Sequence, residues 1–73
     1  EAIVIDLGGL DYLDSAGTRT LHRLAALAQA ERRALRLVAP PSSTARRVLD
    51  LVGMADAVPV DDDLATAVAA SGP

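Results

Sequence analysis

Ala2-Ile3-Val4-Ile5-Asp6-Leu7-Gly8-Gly9-Leu10-Asp11-Tyr12-Leu13-Asp14-Ser15-Ala16-Gly17 carries the decisive pattern of this chain. Its first six residues are apolar and rich in β-branched side chains, with Asp6 the one exception. Such a run predicts a strand buried on both faces, the habit of a parallel sheet. Gly8-Gly9 ends the strand. Leu10-Asp11-Tyr12-Leu13 then reads as a short loop whose alternating apolar residues pack back on the core. Asp14 or Ser15 follows as the N-cap of a helix, because either side-chain oxygen can accept a backbone N–H of the first turn. A strand therefore runs up to a short polar cluster and a helix leaves from it.

Outward from that junction the pattern repeats. Leu21, Leu24, Ala25 and Ala28 follow the i, i+3, i+4, i+7 spacing of an amphipathic helix, and Leu27 widens the stripe. Arg19, His22, Arg23, Gln29 and Arg33 fall mostly on the other side, and the helix is expected over residues 16 to about 32. Ala34-Leu35-Arg36-Leu37-Val38-Ala39 is the second strand, ended by Pro40-Pro41, since proline cannot donate to a ladder. Ser42 or Ser43 caps a second helix with Ala45, Val48, Leu49 and Val52 on its apolar side. Gly53 suits the C′ position. Ala57-Val58-Pro59-Val60 is a short third strand, and Pro59 predicts an edge. Asp61-Asp62-Asp63 opens a last helix from Leu64 to about residue 70, and Ser71-Gly72-Pro73 is a tail.

The β-α-β-α-β-α order predicts an α/β fold: a small, mostly parallel sheet with right-handed crossovers. Seventy-three residues make one domain, residues 1–73. A chain of this size buries only about 60% of its unfolded surface. Its core must be aliphatic, because Tyr12 is the only aromatic residue. The first strand has no lead-in and the first residue is not Met, so an upstream part of the domain is expected to be missing.

Composition narrows the chemistry. There is no cysteine, which excludes disulfide scaffolds, thiolate zinc sites and cysteine nucleophiles and fits a reducing, cytoplasmic setting. No apolar run approaches the ~20 residues of a membrane span. The net charge is −3 and all seven basic residues are Arg, so direct binding to nucleic acid is not expected. The absence of Lys also excludes lysine catalysis and a phosphate-loop lysine.

Sites in open parallel sheets form beyond the carboxyl ends of the strands. The loop of residues 8–17, Pro40-Pro41 and the aspartate run all lie there. Ser15 has three readings. As an N-cap it contributes roughly 1 kcal/mol and needs no function. As a nucleophile it would sit in a G-x-S-x-G elbow, but the sequence reads Leu13-Asp14-Ser15-Ala16-Gly17. The only histidine, His22, lies seven residues along the same helix, too far to serve readily as its base. As a phosphoacceptor it is well placed, since a helix N-terminus tolerates negative charge. Gly17 removes a side chain and lets another surface approach. Arg19, at i+4, points back toward Ser15. Pattern alone leaves Ser15 between cap and site.

Other candidates are set aside. Asp6 ends a strand as a receiver-domain phosphoacceptor does, but the acidic pair and the lysine of that chemistry are absent. Asp61-Asp62-Asp63 reads as a helix cap with favourable dipole charges rather than a metal site. His22 has no companion ligand. Arg46-Arg47 reads as a solvated face that, with an exposed Leu51, is able to touch a partner. No catalytic residue, metal or cofactor is expected.

The stretch from Ile3 through Gly17 resembles the central motif of STAS domains, the anti-sigma factor antagonist family. That motif is an apolar strand, Asp-Leu, a small-residue turn, an apolar-x-aromatic-apolar step and Asp-Ser-x-Gly. Arg46-Arg47-Val48-Leu49-Asp50-Leu51-Val52-Gly53-Met54 resembles the family's later helix, which ends in Leu-x-x-x-Gly and an apolar residue. Residues 56–60 match its last strand, so the resemblance covers nearly the whole chain. It implies that Ser15 is phosphorylated by a partner that is both anti-sigma factor and serine kinase, with a phosphatase to reverse it, and that transcription is regulated indirectly. The implied partner surface is Asp14, Ser15, Ala16, Gly17, Thr18 and Arg19. Ala16 stands where the family often has a second hydroxyl, and Thr18 where it usually has Leu. Family domains also carry strands and a helix before the central strand. An alternative implication is a STAS module of a transporter, lipid-transport or stress-signalling complex, with Ser15 only a helix cap. A first strand without its neighbours predicts an exposed edge or apolar face and weak self-association.

Overall fold

Hydrophobic periodicity organises the chain into alternating strands and helices. The structure, a computed structural model, describes residues 2–71. The elements are β1 (Ala2–Asp6), α1 (Ser15–Ala30), β2 (Ala34–Val38), α2 (Thr44–Leu51), a 3-10 turn (Met54–Asp56), β3 (Val60–Asp61) and α3 (Leu64–Ser71). The sheet order is β1-β2-β3, and both pairings are parallel. This is the expected β-α-β-α-β-α sheet. Of the expected tail, Ser71 is the last residue of α3, and residues 72–73 lie outside the described residues.

Side chains alternate across a strand, and that alternation divides the interior. Leu35, Leu37 and Ala39 point to the face covered by α1 and α2. They pack there with Leu7, Leu21, Ala28, Ala45, Leu49, Met54 and Val58. Val38 and Ala67 are buried but stand outside that cluster. They mark the opposite face, where α3 touches all three strands. Two crossovers of the same hand place α1 and α2 side by side on one face.

Three expectations about the elements change. β1 is half-buried rather than buried on both faces, because β2 is its only neighbour among the described residues. The third strand lies later than predicted, at Val60–Asp61. The N–H groups of Ala57 and Val58 both turn back to Met54 O, at 2.9 Å each, and Pro59 has no N–H to give. Ladder bonding therefore starts at Pro59 O, which accepts from Leu37 N at 3.0 Å, and β3 is the edge that Pro59 predicts. The apolar stripe of α1 is only partly covered: Leu21 and Ala28 are buried, but Leu24 and Leu27 are 38% and 55% exposed. Those two leucines line a pocket with Ile3 and Ile5 beside β1.

Two turns show how the helices stop. Gly53 takes the left-handed conformation at φ 68° after Val52 closes α2, as its C′ assignment predicts. α1 ends at Ala30, two residues before the expected end, without any glycine. Arg32 N donates to Gln29 O at 3.1 Å and Arg33 N to Ala28 O at 2.8 Å. That pair of bonds is the Schellman arrangement, and it holds Arg32 at φ 57°.

Candidate functional site

The site is built at the carboxyl end of β1. Asp6 turns the chain by accepting Gly8 N on Oδ1 at 2.9 Å. In the loop that follows, Leu10 and Tyr12 do not pack back as expected. They are 41% and 69% exposed, and only Leu13 reaches the core. Asp14 has extended backbone at φ −97°, ψ −178°, and its Oδ1 accepts Gly17 N at 2.8 Å. Asp14 is therefore the N-cap, and Ser15 is the first helical residue.

That geometry decides between the two caps the sequence allowed. Ser15 is not the cap. It is exposed, and its hydroxyl has no hydrogen-bond partner among the described residues. Ala16 is exposed beside it. Thr18 behaves differently: it is 7% exposed, and its Oγ1 donates to Asp14 O at 2.9 Å. A leucine there would fill the space without that bond. Gly17 also has an internal role beyond the close approach read from sequence. A Cβ at Gly17 would lie 2.8 Å from Leu13 Cδ1 and 3.4 Å from Asp14 Oδ1. The glycine thus makes room for both the core-facing Leu13 and the capping carboxylate.

Ser15 is exposed and lines a groove of about 430 Å³ between α1 and α2. Ser15, Thr18, Arg19 and His22 line it from α1, Val48 and Val52 from the α2 side, and Leu13 and Asp14 from the loop before α1. Arg19 and His22 are exposed. The sequence reading placed Val48 and Val52 in the core stripe of the second helix. In the structure Val48 is half-buried and Val52 is 43% exposed, so both serve the groove. The signal that finds them is topological, because same-handed crossovers set the two helices next to each other.

The aspartate run divides its labour. Asp61 lies in β3 and takes a two-pronged bond from Arg36, Nε to Oδ2 at 2.8 Å and Nη2 to Oδ1 at 3.0 Å. That hydrogen bonding holds the Asp61 carboxyl below the usual aspartate range. Asp62 Oδ1 accepts from Arg46 Nη1 at 3.0 Å. Asp63 caps α3 by accepting Thr66 N at 2.7 Å, which lowers its pKa as well. Only Asp63 plays the cap expected of the run, and no cluster fit to hold a metal ion occurs among the described residues.

Arg46 is likewise not part of a solvated face. Its Nη1 also donates to Ala39 O at 2.8 Å, and its Nε lies 3.5 Å from Asp50 Oδ1. It ties the first turn of α2 to the end of β2 and to the turn before α3. Ser43, not Ser42, is the cap of α2 and accepts Arg46 N at 3.1 Å. Arg47 is exposed and Leu51 is 80% exposed, as the sequence implied. No helix among the described residues is long and apolar enough to cross a membrane.

Comparison with known proteins adds one match. The family model of the STAS domain matches residues 1–67. No curated protein and no solved structure matches the chain.

Proposed function

The chain belongs to the STAS domain family, and from that premise we propose that it is an anti-sigma factor antagonist switched off by phosphorylation of Ser15. The family works as a binding scaffold rather than a catalyst. One observation carries the reading. Ser15, which lines the α1–α2 groove, offers an exposed hydroxyl without structural duties, because Asp14 does the capping. The alternative role in a transporter, lipid-transport or stress-signalling complex reads Ser15 as only a cap, whereas Asp14 holds the cap here.

In the proposed cycle, residues 14–19 and the groove dock an anti-sigma factor that is also a serine kinase, and its sigma factor is released. The kinase then transfers the γ-phosphoryl group of ATP. A bond forms between Ser15 Oγ and the γ-phosphorus, the bond to ADP breaks, and the hydroxyl proton passes to a base of the kinase. A phosphatase restores the serine by hydrolysis. The modification adds about −1.5 to −2 charges. One partner carboxylate ~5 Å away, at an effective dielectric of about 30 to 60, is then repelled by roughly 2–4 kcal/mol. That is about 30- to 1000-fold in affinity, enough to dissociate a micromolar complex without refolding.

The test is intact-mass analysis before and after incubation with the cognate kinase and ATP. One phosphate on the wild type and none on Ser15→Ala is the expected result. Phosphate gained by Ser15→Ala would show that the site lies elsewhere.

A further inference from the structure

Arg19 is not engaged in the fold's own polar contacts among the described residues. It is exposed one turn beyond Ser15 on α1, and it has no ion pair or hydrogen bond with any described residue. Arg36 and Arg46, by contrast, are committed to carboxylates. Ser15, Arg19 and His22 are spaced i, i+4, i+7, so they share one face of α1, and all three line the groove. The one carboxylate lining it, that of Asp14, is engaged at Gly17 N.

The spacing has a physical consequence. Helical side chains sweep back toward the N-terminus, and residues four apart hold their Cβ atoms about 5–6 Å from each other. The guanidinium of Arg19 therefore reaches the space around Ser15 Oγ. Its planar fork of N–H donors matches two phosphate oxygens at once. Asp14, on the other side of Ser15, repels a phosphate and directs it toward Arg19.

We propose that Arg19 is the positioning residue of the phosphorylated state: it holds the phosphate of Ser15, and the pair lies across the mouth of the α1–α2 groove. The proposal rests on the reading of Ser15 as phosphoacceptor. It changes what phosphorylation does. Besides repelling a partner's carboxylates, the phosphate withdraws the groove's free arginine and covers the approach to Val48 and Val52. A partner is then excluded even where it presents no acidic side chain.

The experiment places phosphoserine at position 15 during translation, by codon suppression, so no kinase is involved. Failure of the kinase reading and failure of this proposal are thereby separate. The second ionisation of the phosphate is followed by phosphorus NMR in four backgrounds: unchanged, Arg19→Gln, Arg19→Lys and Arg23→Gln. Arg23 is exposed on the same helix but outside the groove. Loss of Arg19 raises the phosphate pKa by about 0.15–0.4 unit, the size of an exposed i,i+4 pair for the one charge that the second ionisation adds. Arg19→Lys keeps part of the effect, and Arg23→Gln gives less than half of it. The methyl signals of Val48 and Val52 shift on phosphorylation with Arg19 present and stay in place in Arg19→Gln. An unchanged phosphate pKa in Arg19→Gln overturns the proposal. So does an equal rise in Arg23→Gln, which would report general charge and not a pair.

Discussion

Replacing Asp14 with alanine removes the acceptor of Gly17 N, a 2.8 Å bond at the first turn of α1. Loss of an aspartate N-cap costs about 1 kcal/mol, and up to about 2. Replacing Ser15 removes a hydroxyl that bonds nothing among the described residues and puts the better helix former at the first helical position. Its effect lies within about 0.5 kcal/mol of zero. With an unfolding entropy of roughly 2.1 cal/mol/K per residue, a 73-residue chain loses about 6–7 °C of Tm for each kcal/mol. Asp14→Ala therefore melts about 6–13 °C lower, Ser15→Ala within about 3 °C of the wild type, and Asp14→Ser close to the wild type because serine restores a cap. Thermal melts followed by far-UV circular dichroism, with urea titrations to check that m is unchanged, decide the matter. If Ser15→Ala falls as far as Asp14→Ala, the hydroxyl is structural and the separation of cap from site is wrong.

Four further outcomes follow from the same geometry. Arg46→Ala strands the carbonyl of the fully buried Ala39 and frees the start of α2, so it loses about 1–2 kcal/mol in urea unfolding, while Arg47→Ala stays within about 0.5 kcal/mol. The lowered carboxyls of Asp61 and Asp63 stabilise the fold above the ordinary aspartate value of about 3.9, and that stability is lost as pH falls through their lower folded values. The urea midpoint therefore drops below about pH 4, and Asp61→Asn flattens that acid limb. Arg32→Gly relieves a left-handed residue at a strain of about 1–2 kcal/mol, less the ~0.5–1 kcal/mol of extra unfolded-chain freedom, so Tm does not fall and rises by at most about 10 °C. Sedimentation equilibrium is expected to show weak, concentration-dependent self-association that Leu27→Glu abolishes. A monomer at every concentration removes that expectation.

The elements were legible where one residue type can do one job. Gly53 marks a helix end because only glycine takes its φ cheaply, and Pro59 marks an edge because it has no N–H. Legibility stops where equivalent residues compete. Asp14 and Ser15 are equally good caps in sequence, and only the extended backbone at Asp14 separates them. Three consecutive aspartates look alike, yet strand alternation, a turn and a helix start send Asp61 to Arg36, Asp62 to Arg46 and Asp63 to Thr66 N. Leu24 and Leu27 show the complementary limit. Periodicity identifies the apolar side of α1 but carries no information about what covers it. Arg32 gave no signal at all, since its left-handed turn is imposed by Arg33 bonding back to Ala28.

The separation of Asp14 from Ser15 bears directly on how the proposed switch can work. Were Ser15 Oγ the capping atom, esterification would replace it by phosphate oxygens at the first turn, and about 1 kcal/mol of helix stability would vary with modification. The switch would then also change the stability of α1. A carboxylate cannot be phosphorylated by a serine kinase, and by holding the cap Asp14 leaves the neighbouring hydroxyl free to change charge without loss of the cap. The opposite wall is fixed independently, because Arg46 anchors α2 to Ala39 O and Asp62. In the proposed switch, phosphorylation acts on a groove whose α2 wall is anchored independently of Ser15, and the roughly 2–4 kcal/mol of repulsion is available to discriminate bound from free partner.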